Sequence, residues 1–360
     1  MCLIWADKKC LSNKKYNHKF LNKALALLLL MAITEKNEIR SNLLQCPRDN
    51  NDKIFFTLMD YLNNLFMSND PKDILRFYDY FENRDQLIKW MKERPKGNYR
   101  IVEFNRDEND IIVVIPTVDV NGKFAIACRE EIFKGLHIIF VESGGFKDYY
   151  FNFAHCVNLG FKKAIEYNPK WIIYSGDDMY KVDDVEVLKK ELGKLDNKKV
   201  DIVFLENGDY YSIPLYFGKK TWRYKLYRYI VDRDLLKLFK KFKIDYFYAF
   251  YNFKSSLVFK KVPNTDFINT VSFGIFSSNY LKKFDNIFDD TYINEHDDTD
   301  FSFRSKLENA NTAFIKYRIG AIRGGTLGMG RARGLRSVAG RAYFNYKYSN
   351  LLDDLLKNKL

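Results

Sequence analysis

The chain has 360 residues, 47% of them hydrophobic, and a formal net charge of +13. That apolar content excludes a disordered protein, and the length allows a full α/β domain with one or two additions. The five cysteines, Cys2, Cys10, Cys46, Cys128 and Cys156, are odd in number and lack Cys-x-x-Cys spacing, which argues against a zinc site and fits a reducing, cytoplasmic setting.

In chain order, the first apolar run lies at 24–33 and is preceded by many lysines. It is too short to span a bilayer, and the polar Thr34-Glu35-Lys36-Asn37 that follows offers no small-residue cleavage pattern. A buried helix, and neither a signal peptide nor a transmembrane segment, is the expectation. Residues 1–98 are predicted to form a helical N-terminal region that braces the rest or binds a partner, closing at the turn signal Pro95-Lys96-Gly97-Asn98. The run from Ile111 reads as a strand ended by Pro116-Thr117. Proline lacks the amide that pairing needs, so the chain is expected to turn out there. A second strand begins at His137 and ends in Glu142-Ser143-Gly144-Gly145. A helix then contains Asn158 and Gly160, the glycine marking a place of tight packing.

The apolar Trp171-Ile172-Ile173-Tyr174 reads as a buried strand that delivers Gly176-Asp177-Asp178-Met179 at the carboxyl end of a sheet, where open α/β sheets bind ligands. Adjacent aspartates repel unless a cation lies between them or solvent relieves them. Mg²⁺ typically takes one or two carboxylates together with phosphate oxygens, so a metal-bound diphosphate is the economical occupant. The stretch 210–262 is aromatic and basic. Its Lys237, Lys240, Lys241 and Lys243 interleave with Leu236, Leu238, Phe239 and Phe242, compatible with an anionic membrane surface and equally with a solvated helix face. A second acidic cluster, His296-Asp297-Asp298-Thr299-Asp300, offers a separate carboxylate as general base. Asp300 and Arg304 stand at helical i, i+4 spacing and are expected to pair with each other. His296 is expected to be hydrogen-bonded or solvated. Residues 323–347 carry six Arg or Lys and six Gly with no acidic residue, which predicts a loop able to approach phosphate closely, within a region 321–360 that ends in a C-terminal helix.

Taken in order, four features resemble GT-A glycosyltransferases of the family-2-like group over residues 110–320. These are the strand ending Pro116-Thr117 with its neighbour ending Glu142-Ser143, the helix start Asn158-Leu159-Gly160-Phe161-Lys162-Lys163-Ala164, the pair Asp177-Asp178, and Phe288-Asp289-Asp290 followed by Asp297-Asp298-Thr299-Asp300-Phe301-Ser302-Phe303-Arg304. The resemblance implies an α/β, Rossmann-like mixed sheet flanked by helices, with the catalytic domain over 99–320 and 210–262 as an acceptor-side insertion. It implies metal-dependent transfer of a sugar from a nucleoside-diphosphate sugar to a hydroxyl of a glycan, lipid-linked sugar or protein, with inversion.

By the same resemblance, Pro116 and Thr117 line the base and ribose pocket, and Glu142 contacts base or ribose. Asn158 and Gly160 pack beneath the nucleotide. Asp178 ligates Mn²⁺ or Mg²⁺ and the diphosphate, and Asp177 faces ribose or metal. Asp298 is the base. Asp297 stands where the family usually has glutamate, one methylene longer, which leaves open which of the pair points at the acceptor. Arg323 falls where the family's flexible loop often carries a histidine ligand, and is expected to neutralise the leaving diphosphate. Trp222, Tyr224 and Tyr227 suit stacking on an acceptor sugar or core packing. A basic RNA-binding module would use the same Arg/Gly stretch. A nucleotidyltransferase is ranked lower, because Thr117-Val118-Asp119-Val120-Asn121-Gly122 lacks a basic, glycine-rich character. No nucleic acid is expected as partner.

Overall fold

The computed structural model describes residues 51–81, 84–143, 150–206, 272–293, 295–322 and 331–348. The apolar run at 24–33, the stretch 210–262 and Arg323 lie outside the described residues. Contacts divide the chain into Met1–Tyr61 and Leu62–Leu360. The second unit contains the sheet together with residues 62–98.

Among the described residues the helices are α1 (Asn51–Met67), α2 (Pro71–Asp79), α3 (Arg84–Glu93), α4 (Lys123–Ala127), α5 (Phe153–Ile165), α6 (Val185–Leu192), α7 (Ser278–Leu281), α8 (Asp297–Leu307) and α9 (Arg331–Lys347). The strands are β1 (Arg100–Phe104), β2 (Ile111–Thr117), β3 (His137–Glu142), β4 (Trp171–Ser175), β5 (Met179–Lys181), β6 (Ile202–Leu205), β7 (Phe273–Ser277), β8 (Thr312–Ile315) and β9 (Ile319–Ala321). Seven of them form one mixed sheet in the order β1-β3-β2-β4-β7-β6-β8. The parallel pairs are β2 with β3, β2 with β4 and β6 with β8, while β1 and β7 run against their neighbours. Five strands therefore share one direction, and their carboxyl ends make a single edge.

All seven residues of β2 are buried. Such a continuous apolar run is what a strand covered on both faces requires. Its side chains alternate: Val113 and Ile115 join a core with Cys128, Ile132, Leu188 and Leu192, whereas Ile112 and Val114 join one with α5. Pro116 acts as expected on one flank only. Pairing with β4 stops at Val114, but pairing with β3 continues through Pro116 to Thr117 opposite Glu142. The missing amide is tolerated because a parallel strand offers successive amides to opposite neighbours.

Gly160 lies in α5 where a Cβ would come within 2.2 Å of Val114 Cγ1 and 3.1 Å of Val141 Cγ2. Its place is thus the contact of helix on sheet. The stretch expected as an Arg/Gly loop is helical from Arg331 onward, with Gly334 and Gly340 inside α9. Gly340 is required by close approach, since a Cβ there would meet Glu295 O at 2.6 Å. Helix α9 packs against α2 and α3: Tyr78 donates from its hydroxyl to Leu335 O (2.7 Å), and Arg336 to Ser68 O (2.8 Å). Phe66, Phe77 and Trp90 fill the space between the helices, with ring centroids 4.7–5.5 Å apart. No helix among the described residues is long and apolar enough to cross a membrane.

Candidate active site

Strand β4 ends at Ser175, and its carboxyl end delivers Gly176, Asp177 and Asp178 to the edge. Asp177 is buried, and its Oδ2 accepts from Thr117 Oγ1 at 2.9 Å. Two residues separated by sixty positions, both singled out from the sequence, are thus joined directly because β2 and β4 are parallel neighbours. Asp178 is half-buried. A Cβ on Gly176 would lie 3.0 Å from Asp178 Oδ1, so glycine there avoids crowding that carboxylate. Asp178 O accepts from Ile322 N at 2.7 Å.

Among the described residues, no group of three or more His, Cys, Asp or Glu is placed to hold a metal ion. Two adjacent carboxylates, one of them half-buried beside a glycine, do fit a hard divalent ion that fills its remaining positions with diphosphate oxygens and water. Asp177 and Asp178 are the residues that would hold it.

The second cluster reaches the same edge by a different route. Helix α5 follows β3, so it begins at the carboxyl edge, and three of its side chains or caps grip the segment ahead of α8. Asn152, the N-cap, accepts from His155 N (2.9 Å) and donates from Nδ2 to Asp290 O (2.8 Å) and Tyr292 O (3.0 Å). Asn158 donates to Phe288 O (2.7 Å) and accepts from Phe288 N (3.0 Å). His155 Nδ1 lies 3.0 Å from Asp290 Oδ2, and this bond holds the Asp290 carboxyl below the usual carboxylate range. Asn158 is committed to the Phe288 backbone, so it braces the approach to the second cluster. Asn152 and His155 were missed from the sequence; the asparagine preceding an apolar helix was the available signal.

Glu142 is also committed. Its carboxylate accepts from Arg100 at 2.9 and 3.0 Å and from Val120 N at 3.0 Å. In this state it shapes the loop after β2, while Thr117 and Pro116 remain at the strand end.

At the start of α8 the two aspartates differ. Asp298 is half-exposed, with Oδ1 accepting from Thr299 N (2.7 Å) and Thr299 Oγ1 (3.3 Å). Asp297 is 5% exposed, and its Oδ2 is enclosed without a hydrogen-bond partner. Burial, with the Asp298 charge beside it, pushes the Asp297 carboxyl well above the carboxylate range. His296 takes a left-handed backbone (φ 69°), unusual for a non-glycine residue, to cap this helix. Its ring is hydrogen-bonded to the Ser337 backbone, and burial followed by the Arg341 charge pushes its pKa down to about 3. It is bonded as expected, but its Nε2 is enclosed and has no partner.

Asp300 does not pair with Arg304. It is fully buried and accepts from Tyr292 OH (3.1 Å), Tyr348 OH (2.9 Å) and Lys347 Nζ (2.9 Å). Arg304 donates to Ile287 O and faces Glu308 at 4.0 Å. The i, i+4 expectation failed because α9 returns a lysine and a tyrosine from the far end of the chain. Arg333 is bonded to Glu295 (2.7 Å), so part of the basic charge expected to meet phosphate is spent inside the fold.

No model of a known protein family matches this chain, and no curated protein matches it either.

Proposed function

We propose that this chain is a GT-A, family-2-like glycosyltransferase that moves a sugar from a nucleoside-diphosphate donor to a hydroxyl acceptor with inversion. The observation that carries the reading is the joining of Thr117 to Asp177 at the carboxyl edge of parallel strands, with the segment leading to Asp298 clamped to the helix that starts at that same edge. Asp177 and Asp178 would hold Mn²⁺ or Mg²⁺, which would supply the charge that neutralises the donor diphosphate. Asp298, the more exposed acid, takes the proton of the acceptor hydroxyl as that oxygen bonds to the anomeric carbon. The bond from that carbon to the diphosphate breaks, and its electron pair leaves with the diphosphate, which Arg323 is placed in sequence to meet. Enclosure and the Asp298 charge raise the Asp297 carboxyl, which disfavours a second negative charge beside the base.

Several acceptors suit the reading: a glycan, a protein, or a lipid-linked sugar, the last matching the basic stretch at 210–262 with the enzyme at the cytoplasmic face of an anionic membrane. The RNA-binding alternative is weakened by the internal bonds of Arg333, Arg336 and Lys347.

The test is calorimetric titration with UDP, GDP and dTDP, with and without Mn²⁺, on wild type and Asp178→Ala. Metal-dependent binding of one nucleotide, lost in the variant, is expected. No nucleotide bound by folded, metal-supplied wild type would overturn the reading and turn attention to salt-dependent RNA binding.

A further inference from the structure

Directly after Asp178, β5 pairs with β9 as a separate two-stranded ribbon: Met179 opposite Ala321, Tyr180 opposite Gly320, Lys181 opposite Ile319. The bond from Ile322 N to Asp178 O extends that ladder by one pair. Residues directly opposite in an antiparallel pair share a face, and alternate residues along a strand share it too. One face of the ribbon thus holds Met179, which is buried in the core. The other holds Asp178, Tyr180, Gly320 and Ile322.

On that outer face Tyr180 is 51% exposed and Ile322 43% exposed. A Cβ built on Gly320 would lie 2.0 Å from Tyr180 Cζ and 2.4 and 2.5 Å from its two Cε atoms. With Cζ nearest and the Cε atoms almost equidistant, the ring lies flat over the glycine and not edge-on. Only glycine permits this, since any side chain would occupy the space of the ring. One face of the ring is backed by main chain, and the other looks outward.

A flat aromatic surface held rigidly from behind suits the apolar C–H face of a pyranose, because stacking buries area without ordering a flexible side chain. The position selects which sugar. Thr117, at the predicted base and ribose pocket, is bonded to Asp177, whereas the ribbon leaves from Asp178. The donor nucleotide is accounted for on the Thr117 side, which leaves the ribbon for the other substrate.

We propose that the outward face of Tyr180 is the platform on which the acceptor sugar stacks. The choice of acceptor over other sugars rests on the glycosyltransferase reading; the existence of a carbohydrate-stacking face does not.

The experiment is saturation-transfer NMR on the full chain with methyl glycosides of glucose, galactose, mannose and N-acetylglucosamine, repeated on Tyr180→Ala and Tyr180→Phe. Each protein is also titrated with UDP, GDP and dTDP in Mn²⁺. Transfer to the ring C–H protons of at least one glycoside is expected in wild type. It should weaken about tenfold in apparent affinity in Tyr180→Ala, the size of one stacking contact, and persist in Tyr180→Phe. Nucleotide binding should be unchanged in both variants. Glycoside signal absent from wild type, or equal in Tyr180→Ala, overturns the platform. Nucleotide binding that falls with Tyr180→Ala reassigns the ring to the donor and equally overturns the proposal. If wild type binds glycoside through Tyr180 but no nucleotide, the transferase reading fails and the carbohydrate face stands. Gly320→Ala provides the independent variant: it should displace the ring and weaken glycoside signal while Tyr180 itself is intact.

Discussion

Asp177 and Asp297 are almost equally enclosed, at 7% and 5% exposure, yet their carboxylates meet opposite circumstances. Asp177 is answered by the Thr117 hydroxyl at 2.9 Å and shares its turn with Gly176 and a half-buried Asp178. Asp297 has an oxygen with no partner and a neighbouring carboxylate whose charge adds to the cost of ionising it. Asp300, three residues further on and buried completely, resembles the former: a lysine and two tyrosines answer it. Depth alone does not decide what a buried carboxylate costs the fold. Its donors do, since burying an unpaired polar group is far costlier than burying one that is hydrogen-bonded.

That contrast can be broken by substitution, beginning with the largest effect. If Asp298 and not Asp297 is the base, Asp298→Asn should lower turnover by about 10²–10⁴ while nucleotide affinity, measured by calorimetry, is unchanged. A comparable loss from Asp297→Asn with Asp298→Asn fully active would reverse the roles. Asp300→Ala leaves the Tyr292 and Tyr348 hydroxyls without their acceptor and Lys347 with Asp289 alone, and should cost about 2–3 kcal/mol in urea unfolding. Gly160→Ala, by driving a methyl into Val114, should cost about 1–3 kcal/mol without changing any carboxylate.

The pH dependence of Asp297 sharpens the comparison further. Its folded carboxyl is raised, so the folded state holds the proton more tightly than the unfolded chain. This stabilisation is fully present below the unfolded value of about 4 and is lost as pH rises through the folded one. Asp297→Asn should therefore show a shallower fall of stability with rising pH than wild type, by thermal unfolding in a series of buffers; parallel curves would show that Asp297 is ionised in the fold. The smallest effect belongs to Arg100→Ala. Its partner Glu142 is largely enclosed but Arg100 is 64% exposed, and the loss should stay below about 1 kcal/mol.

Much of this was legible locally. The uninterrupted apolar run of β2, the strand ahead of Asp177, the helix bearing Gly160 and the acidic start of α8 follow from periodicity and from a few residues whose backbone preferences are strong. Pro116 and Gly160 announced their places because one lacks an amide and the other a side chain. The contacts of the charged residues were not legible in the same way. Arg304 was the nearest cation to Asp300 along the helix, but Lys347 reached it from α9. Glu142 was read as a ligand contact and is held by Arg100 from a strand added antiparallel at the sheet edge. The 323–347 stretch looked like a loop throughout, since its glycines disfavour helix; packing of α9 against α2 and α3 overrode that preference from Arg331 onward.

The division has one physical reason. Hydrophobic period and the special backbones of Pro and Gly act within a few residues, so β2, β3, β4, the helix bearing Gly160 and the positions of both acidic clusters could be read from the chain alone. A carboxylate's partner is set by which segments the sheet order makes neighbours. Only the tertiary structure could bring Thr117 to Asp177, fold Lys347 onto Asp300, lay Tyr180 over Gly320 and leave an oxygen of Asp297 enclosed and unanswered.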